Sequence, residues 1–210
     1  MKKHSNTRIH KMKDMWDKRY GTEAYAYGKE PNGYFSAQLE KTAPGQMLLP
    51  GEGEGRNAVY AALNGWSVDA FDQSIAGQSK ALALASEMGV GINYRVCPME
   101  DFQFLENHYD AVGLIFFHAD QAGREFLHRK VIEALKPGGS LFLEAFHKDQ
   151  IKNNTGGPKS LELLFDEAIL LSDFAPLEIQ MLEKQQIILN EGPFHQGEAS
   201  VIRFHGIKAN

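Results

Sequence analysis

Apolar runs alternate with amphipathic stretches along the middle of the chain. Apolar runs bounded by turn residues predict strands at Gln46–Leu49, Ser67–Phe71, Ile92–Val96, Tyr109–Phe117 and Ser140–Phe146. Apolar residues at helical spacing predict helices over Arg56–Leu63, Ile75–Met88 and Gln121–Leu135. Strands and helices in this alternation form a parallel sheet that right-handed crossovers cover on both faces.

Two of these helices carry further signals. The helix over Ile75–Met88 is expected to bury a face made of Ala81, Leu82, Ala85 and Met88. The helix before the fifth strand should end at the stretch KPGGS, because proline and glycine interrupt helices.

The last third of the chain has a different pattern. Leu161–Asp173 is predicted to be one helix. Two β-rich runs, Leu177–Leu189 and Ala199–Lys208, are joined by the polar stretch NEGPFHQGE. Strands that follow each other so closely pair as an antiparallel hairpin, which we expect at one edge of the sheet.

Composition narrows the class of protein. The chain has 210 residues, of which 43% are hydrophobic and 23% charged, and this fits one globular domain. Its net charge of -5 argues against nucleic acid as the main partner. Cys97 is the only cysteine, and the longest apolar run, Ala111–Phe117, is too short to span a bilayer. We therefore expect a cytoplasmic protein that binds neither nucleic acid nor membrane.

The front of the chain divides into an arm and an aromatic segment. Residues 1–14 are basic and patternless and are predicted to be a mobile arm, while residues 15–210 form a single domain. Within that domain, residues 15–45 are rich in aromatic rings and are interpreted as a lid. Candidates to stack on a cationic ligand are Tyr25, Tyr27 and Tyr34. Candidates to bind the carboxylate of that ligand are Trp16 and Arg19. The alternative is a helix that only packs on the sheet.

The stretch LLPGEGEGRNAV places Gly51, Gly53 and Gly55 directly after the first strand. In doubly wound sheets, ligands bind beyond the carboxyl ends of the strands, where glycine lets the backbone come close to them. A dinucleotide loop requires the spacing G-x-G-x-x-G, and its third glycine is replaced here by Arg56. Two glutamates inside the loop would also repel a pyrophosphate. A ligand that carries positive charge fits better.

Asp72 ends the second predicted strand, with Gln73 beside it. A carboxylate in this position can accept hydrogen bonds from both hydroxyls of a ribose. The alternative is an ordinary turn residue. Since Asp72 follows a glycine loop and one strand–helix unit, ribose binding is the favoured interpretation.

Taken together, several stretches resemble class I S-adenosylmethionine-dependent methyltransferases: LLPGEGEGRNAVYAA, VDAFDQS, YDAVGLIFFH and LKPGGSLFLEAF. Three others resemble the tellurite-resistance-type and thiopurine-type branch: MWDKRYGTEAYAYGKEPNGYF, NTGGPKSLELL and EGPFHQGEASVIRF. The resemblance implies an α/β, Rossmann-like doubly wound seven-stranded sheet, mostly parallel with an antiparallel C-terminal strand. It also implies S-adenosyl-L-methionine as the cofactor.

The resemblance further implies roles for individual residues. The glycines of the loop approach the methionine part of the cofactor, Asp72 holds its ribose, and residues after the third and fourth strands flank its adenine. The full set of cofactor-binding candidates is Gly51, Gly53, Gly55, Arg56, Asp72, Gln73, Met99, Glu100, Phe117 and Tyr27. The chain departs from the pattern twice, with Leu49 and Pro98 where the family usually has acids.

Methyl transfer from a sulfonium is an in-line displacement, so a thiol or softer chalcogen acceptor needs little help from a base. The stretch IFFHAD lacks the Asn/Asp-Pro-Pro-aromatic motif of nucleobase amino methylation, which favours a small-molecule acceptor. Candidate catalytic residues are His118, His147 and His195. Glu191 would form an acid–base pair with His195, unless both belong to a polar hairpin turn. Glu144, Lys159 and the stretch GGPK are further candidates near the acceptor.

The histidines lack the spacing of a metal site, so no metal is predicted. Two alternatives to a methyltransferase remain. One is a nicotinamide-dependent oxidoreductase, which the loop spacing disfavours. The other is a cofactor-binding protein without catalysis, which the departures at Leu49 and Pro98 keep open.

Overall fold

The computed structural model describes residues 13–210, and the first twelve residues of the predicted basic arm lie outside this range. Residues 13–20 are helical and are called α1, so residues 13 and 14 of the predicted arm belong to a helix. The other helices are α2 (Gly33–Leu39), α3 (Arg56–Leu63), α4 (Ile75–Glu87), α5 (Gln121–Ala134) and α6 (Glu167–Asp173). The strands are β1 (Gln46–Pro50), β2 (Ser67–Asp72), β3 (Asn93–Val96), β4 (Tyr109–Ile115), β5 (Leu135–Phe146), β6 (Leu177–Glu191) and β7 (His195–Lys208). Among the helices described, none has the length and apolar character needed to cross a membrane.

The strands form one seven-stranded sheet in the order β3-β2-β1-β4-β5-β7-β6. The first five strands pair in parallel, and β7 is antiparallel to both of its neighbours. The predicted fold class is therefore confirmed. The chain order reverses between β1 and β4, so a ligand crevice is expected beyond the carboxyl ends of these two strands.

Both faces of the sheet are buried. Leu48 of β1 belongs to the core under α5 and α6, whereas its neighbours Met47 and Leu49 face the opposite core with Phe35 of α2. This division follows from the alternation of side chains along a strand. Leu49, which stands where the family usually has an acid, has an exposed fraction of 0% and serves as a core residue.

One predicted helix face and two predicted strand boundaries need correction. In α4, Ala81 and Ala85 are buried as predicted, but Leu82 and Met88 are exposed, and Leu84 completes the buried face. The strand β4 ends at Ile115 because Phe116 takes a left-handed conformation with φ of 52°. The helix α5 ends at Ala134, one residue before the predicted end, but β5 begins at Leu135 rather than at Ser140, so the stretch KPGGS belongs to the strand.

The single helix predicted over Leu161–Asp173 is also wrong. A short 3₁₀ turn covers Leu161–Leu163, and α6 begins only at Glu167. Phe165 lies between them in extended conformation because it forms a parallel bridge with His147. The side chain of Asp166 then caps α6 by accepting a hydrogen bond from the amide of Ile169 at 2.9 Å.

The hairpin at the sheet edge is confirmed, but it is longer than predicted. The polar stretch NEGPFHQGE is mostly strand, and only residues 192–194 form the turn between β6 and β7. Glu191 consequently lies opposite His195 in the strand register. Val201 pairs with Phe146, the last residue of β5. Residues 195–200 of β7 and their partners in β6 therefore extend past the carboxyl edge of the sheet.

Candidate active site

The glycine loop lies where β1 ends. Gly51, Gly53 and Gly55 have φ angles of 65°, 61° and 87°, a region that non-glycine residues rarely adopt. A Cβ atom on Gly51 would lie 2.4 Å from the ring of Phe117, and one on Gly53 would lie 2.7 Å from the hydroxyl of Tyr20. The loop therefore requires glycine for its backbone conformation and because two protein rings pack against it.

The negative charges of the two glutamates in the loop are partly neutralised, one by an ion pair and the other by a raised pKa. Glu54 forms an ion pair with Lys80 at 2.7 Å and accepts a hydrogen bond from the amide of Ala26. Glu52 accepts a hydrogen bond from the amide of Ala58 in α3, at 2.7 Å. Burial raises the pKa of Glu52 to about 7, against the lowering effect of this bond. Charge repulsion by these glutamates is therefore a weaker argument against a dinucleotide ligand than the spacing of the glycines.

Asp72 lies at the end of β2, beside the glycine loop. Its side chain is buried and accepts hydrogen bonds from the amides of Gly53 at 3.2 Å and Ser74 at 2.9 Å. Burial raises its pKa to about 6, although these amides oppose the shift. A carboxylate has about four acceptor positions, so Asp72 retains capacity for ribose hydroxyls. Gln73 lies next to it and is partly exposed.

The predicted adenine-flanking residues lie in two places. Met99 and Glu100 are in a 3₁₀ turn after β3, where Met99 packs on the core and Glu100 is exposed. Phe117 follows β4, and its ring lies next to Gly51. Pro98, the second departure from the family pattern, precedes the turn as its N-cap residue.

The aromatic front segment packs against the rest of the molecule more extensively than predicted. The hydroxyl of Tyr34 donates to the carbonyl of Phe204 in β7 at 2.8 Å, so this ring is part of the core. The hydroxyl of Tyr25 donates to the carbonyl of Lys80 at 3.1 Å. Of the three tyrosines predicted to cover a ligand, Tyr27 alone lies beside the candidate histidine His195.

Residues of α1 close the front of the site. Arg19 donates to the hydroxyl of Tyr27 at 2.7 Å, and its guanidinium lies over the rings of Trp16 and Phe194. Asp17 accepts a hydrogen bond from the hydroxyl of Ser74 at 2.6 Å. These contacts tie α1 both to the hairpin and to the segment after β2.

Arg56 is the first residue of α3 and has a buried side chain. One of its amino groups donates to the carbonyl of Tyr27 at 3.1 Å, and the other forms an ion pair with Glu191 at 2.9 Å. The structure therefore directs this predicted cofactor-binding group towards the front segment and the hairpin.

His195 lies at the centre of a group of rings, which we call the aromatic cluster: Tyr27, Phe116, His118, Phe146 and His195. The ring centroid of His195 is 4.4 Å from Tyr27, 4.7 Å from Phe116 and 5.3 Å from Phe146. Its Nδ1 atom lies 3.1 Å from a carboxylate oxygen of Glu191. Burial lowers the pKa of His195 despite this carboxylate, so the imidazole is neutral at neutral pH.

Of the three candidate histidines, His118 and His195 both pack on Phe146, whereas His147 lies elsewhere. His118 stacks on Phe146 at 5.7 Å, and its Nδ1 donates to the carbonyl of Leu163 at 2.6 Å. Burial lowers its pKa to about 4. His147 follows Phe146 in the chain, and its Nδ1 accepts a hydrogen bond from the amide of Asp149. Since successive residues of a strand face opposite sides, His147 lies outside the aromatic cluster.

The stretch GGPK covers the aromatic cluster. A Cβ atom on Gly156 would lie 2.8 Å from the ring of His195, and one on Gly157 would lie 2.6 Å from the ring of Phe146. Lys159 instead hydrogen-bonds to Asn153 and Asn154 within its own loop. The glycines are thus placed as a cover, while the lysine is not placed near the cluster.

Sequence reasoning missed three residues of the site. Phe116 and Phe146 form walls of the aromatic cluster. The available sequence signal was that Phe146 ends a predicted strand and Phe116 lies near the end of another. Asn32, which reads as a turn former, donates from its amide nitrogen to Glu144 at 2.6 Å and to Glu191 at 3.1 Å. Glu144 in turn pairs with Arg203 at 2.5 Å, in the interior beneath α2.

Comparison with known proteins agrees with this geometry. Residues 48–139 match a family model described as a methyltransferase domain. Over these residues the chain is similar to a methyltransferase domain. The match covers both the glycine loop and Asp72, and the family implies S-adenosylmethionine as the cofactor. None of the curated proteins compared with the chain matches it by sequence.

Solved structures share the fold at low sequence identity. A protein associated with conversion of a disulfide bond into a thioacetal group in echinomycin biosynthesis has a TM-score of 0.76 at 16% identity, covering 94% of this chain and 92% of its own. TehB from Haemophilus influenzae has a TM-score of 0.70 at 17% identity, and the match covers 93% of this chain but 66% of TehB. A methyltransferase from Methanosarcina mazei has a TM-score of 0.62 at 18% identity, covering 78% of this chain and 92% of its own. At these identities the comparison shows that the chain shares the fold of these structures, TehB among them.

The methyltransferase's own residues fit this cofactor. Asp72 offers a buried carboxylate with unused acceptor positions, and the loop of Gly51, Gly53 and Gly55 holds a backbone that side chains would obstruct. Phe117 places an aromatic ring at the junction of the glycine loop and β4. These groups match the ribose and the flat adenine of S-adenosylmethionine in chemical character.

Proposed function

We propose that this methyltransferase acts on a small molecule whose acceptor atom is a thiol sulfur or a related soft chalcogen. The observation that carries the proposal is the aromatic cluster, in which two neutral imidazoles lie among aromatic rings next to the glycine loop. We also propose that the reaction takes place in the cytoplasm, because a chain with a single cysteine suits a reducing compartment.

The chain's residues divide the work of such a reaction. Bound S-adenosylmethionine supplies an electrophilic methyl group. Asp72 and the glycine loop would hold the ribose and the methionine part, and Met99 and Phe117 would flank the adenine. The aromatic cluster and the cover of Gly156 and Gly157 exclude water from the acceptor.

His195 is the proposed proton acceptor. Its Nδ1 faces Glu191, so its Nε2 remains to take the proton of a thiol, and among residues 13–210 no hydrogen bond engages Nε2. A thiol with a pKa of about 8.5 is mostly protonated at neutral pH, so such a base increases the fraction of thiolate.

The surroundings favour a soft acceptor over a hard oxyanion. Sulfur makes favourable contacts with aromatic rings, and the cluster has three such rings besides its histidines. A hard oxyanion would lose its hydration there without a cation in the cluster to replace it. The sequence resemblance to the tellurite-resistance-type and thiopurine-type branch points to the same acceptor class, and one structural neighbour is associated with disulfide chemistry.

The test compares cofactor binding with turnover. Calorimetry should detect S-adenosylhomocysteine binding and no NAD binding. Turnover should appear with small aromatic thiols and should be weaker with the oxyanions selenite and tellurite, which lose hydration in the aromatic cluster. His195→Ala should reduce turnover on a thiol by about 10²-fold or more. The matched control is His147→Ala, which lies outside the cluster and should retain turnover. Tight S-adenosylhomocysteine binding with no methyl transfer to any soft acceptor would favour a cofactor-binding protein without this activity.

A further inference from the structure

The extended hairpin brings a carboxylate against the proposed base. Glu191 ends β6 and His195 begins β7, and the two residues pair across the turn with Oε2 3.1 Å from Nδ1. We propose that Glu191 is a positioning residue that holds His195 in the tautomer with its proton on Nδ1, which leaves Nε2 free to accept the proton of the acceptor. This inference rests on the proposed function of His195.

Two other elements hold the carboxylate of Glu191 in place. Arg56 of α3 donates to Oε2 at 2.9 Å, and Asn32, the N-cap of α2, donates to Oε1 at 3.1 Å. The side chains of Arg56 and Glu191 are only 8% and 15% exposed. Both carboxylate oxygens are therefore bound by groups from distant parts of the chain, which is the arrangement needed to fix an orientation.

The charge of Glu191 is well supported. Burial alone would raise its pKa, but the hydrogen bond to His195 and the charge of Arg56 outweigh burial and lower the pKa to about 2. Glu191 is thus an anion at every pH at which the enzyme is expected to work. An ionised carboxylate can only accept hydrogen bonds, so it requires a proton on Nδ1 of His195.

Several other groups face His195. Glu191 tends to raise the pKa of His195, whereas burial lowers it most, with smaller contributions from Arg56 and Arg19. Tyr27 and His118 also pack around it, and His118 is neutral because burial keeps its pKa near 4. Glu191 is therefore the anion against which a protonated His195 would be stabilised.

The proton transfer balances within this arrangement. The S–H bond of the acceptor breaks, its proton moves to Nε2, and its electron pair stays on the acceptor sulfur. His195 becomes an imidazolium whose positive charge lies beside the carboxylate of Glu191. The carboxylate is not itself protonated, because its pKa is far below that of an imidazolium.

The experiment reads the ring of His195 directly, by ¹⁵N NMR on the full chain without cofactor or acceptor. The wild-type protein should show the Nδ1–H tautomer. Glu191→Ala should shift the ring towards the Nε2–H form, and Glu191→Gln should lower the pKa of His195 because the negative charge is lost. Glu198→Gln, an exposed glutamate of the same hairpin, is the matched control and should change neither property.

Kinetics supply the second measurement. Glu191→Ala should lose about tenfold or more in kcat with a soft acceptor, less than removal of the base itself. The acidic limb of the pH–rate profile should move to lower pH in Glu191→Gln, since the neutral base then persists at lower pH.

Two results would overturn the assignment: an Nε2–H tautomer in the wild-type protein, or an unchanged tautomer and pKa of His195 in both variants. If Glu191→Ala fails to fold by circular dichroism, Glu191→Gln alone decides through the pKa. Failure of the proposed function looks different, because it appears as no methyl transfer by the wild-type protein whatever the tautomer of His195.

Discussion

Asp72 is the proposed ribose-binding residue, and its charge changes within an accessible pH range. Its pKa of about 6 is raised by burial, and the carboxylate gives up acceptor capacity once it is protonated. Affinity for S-adenosylhomocysteine should therefore be constant above pH 7 and fall by up to tenfold per pH unit below pH 6. Calorimetry between pH 5 and pH 8 measures this dependence.

Asp72→Asn provides the control for this measurement. The variant should bind S-adenosylhomocysteine about ten- to a hundredfold more weakly at pH 7.5, the scale of hydrogen bonds to a charged group. It should also lose the dependence below pH 6. Glu52, with a pKa of about 7, titrates in both proteins, so the difference between them isolates Asp72. If the pH dependence of S-adenosylhomocysteine affinity is the same in the wild-type protein and in Asp72→Asn, Asp72 does not bind the ribose.

Some residues of the site could be predicted from the sequence, and others could not. The glycine loop and Asp72 belong to one local strand–helix–strand unit, so their spacing alone predicted that they would meet. Asn32 and Glu191 are 159 positions apart, and no local pattern links them. Phe116 gave no signal either, because its left-handed backbone is unusual for a phenylalanine.

Between elements, the packing of α3 against α4 depends on Gly55. A Cβ atom there would lie 2.5 Å from Cβ of Ala81, whereas one on Gly89 would meet nothing within 4 Å. Both glycines have positive φ, at 87° and 71°. Gly55→Ala and Gly89→Ala therefore share the backbone strain of about 1–2 kcal/mol, but Gly55→Ala adds overpacking of about 1–3 kcal/mol.

Urea unfolding of the two variants measures that difference. Gly55→Ala should have the lower free energy of unfolding, and it should also weaken S-adenosylhomocysteine binding because the loop is displaced. Equal losses in the two proteins would mean that the contact between Gly55 and Ala81 relaxes without cost.

The elements themselves were predicted unevenly. The central strands are short apolar runs buried on both faces, and the sequence identified each of them within a few residues. The hairpin was underestimated because residues 195–200 pair only with β6, outside the main sheet, and lack a regular apolar pattern. His147 was misplaced because a strand-end position does not tell which face a side chain takes.

Across the whole molecule, the front segment contains two parts with different packing. Phe35 of α2 has an exposed fraction of 0% and belongs to the core. Residues 13–27 instead contact the glycine loop and the hairpin through side chains such as Tyr20 and Arg19. The lid interpretation, made for residues 15–45, therefore stays a prediction for residues 15–27 and does not fit Gly33–Leu39, which packs in the core.

Hydrogen exchange tests that division. Addition of S-adenosylhomocysteine should slow exchange over residues 13–27, while Gly33–Leu39 should be protected with and without the ligand. If the exchange rate over residues 13–27 is the same with and without S-adenosylhomocysteine, this part is a fixed structural element. Arg19→Ala, which removes the bond to Tyr27, should speed exchange of the first part only.

The position of β7 also has a consequence for the order in which the protein is made. β7 lies between β5 and β6, yet it follows both in the chain. On the ribosome, β6 emerges before the strand that joins it to the sheet exists, and until then β5 has an open edge. His195, the proposed base, arrives with β7, so the nascent chain can complete its cofactor half before it holds this residue. We therefore expect methyl transfer to begin only when β7 has inserted between β5 and β6.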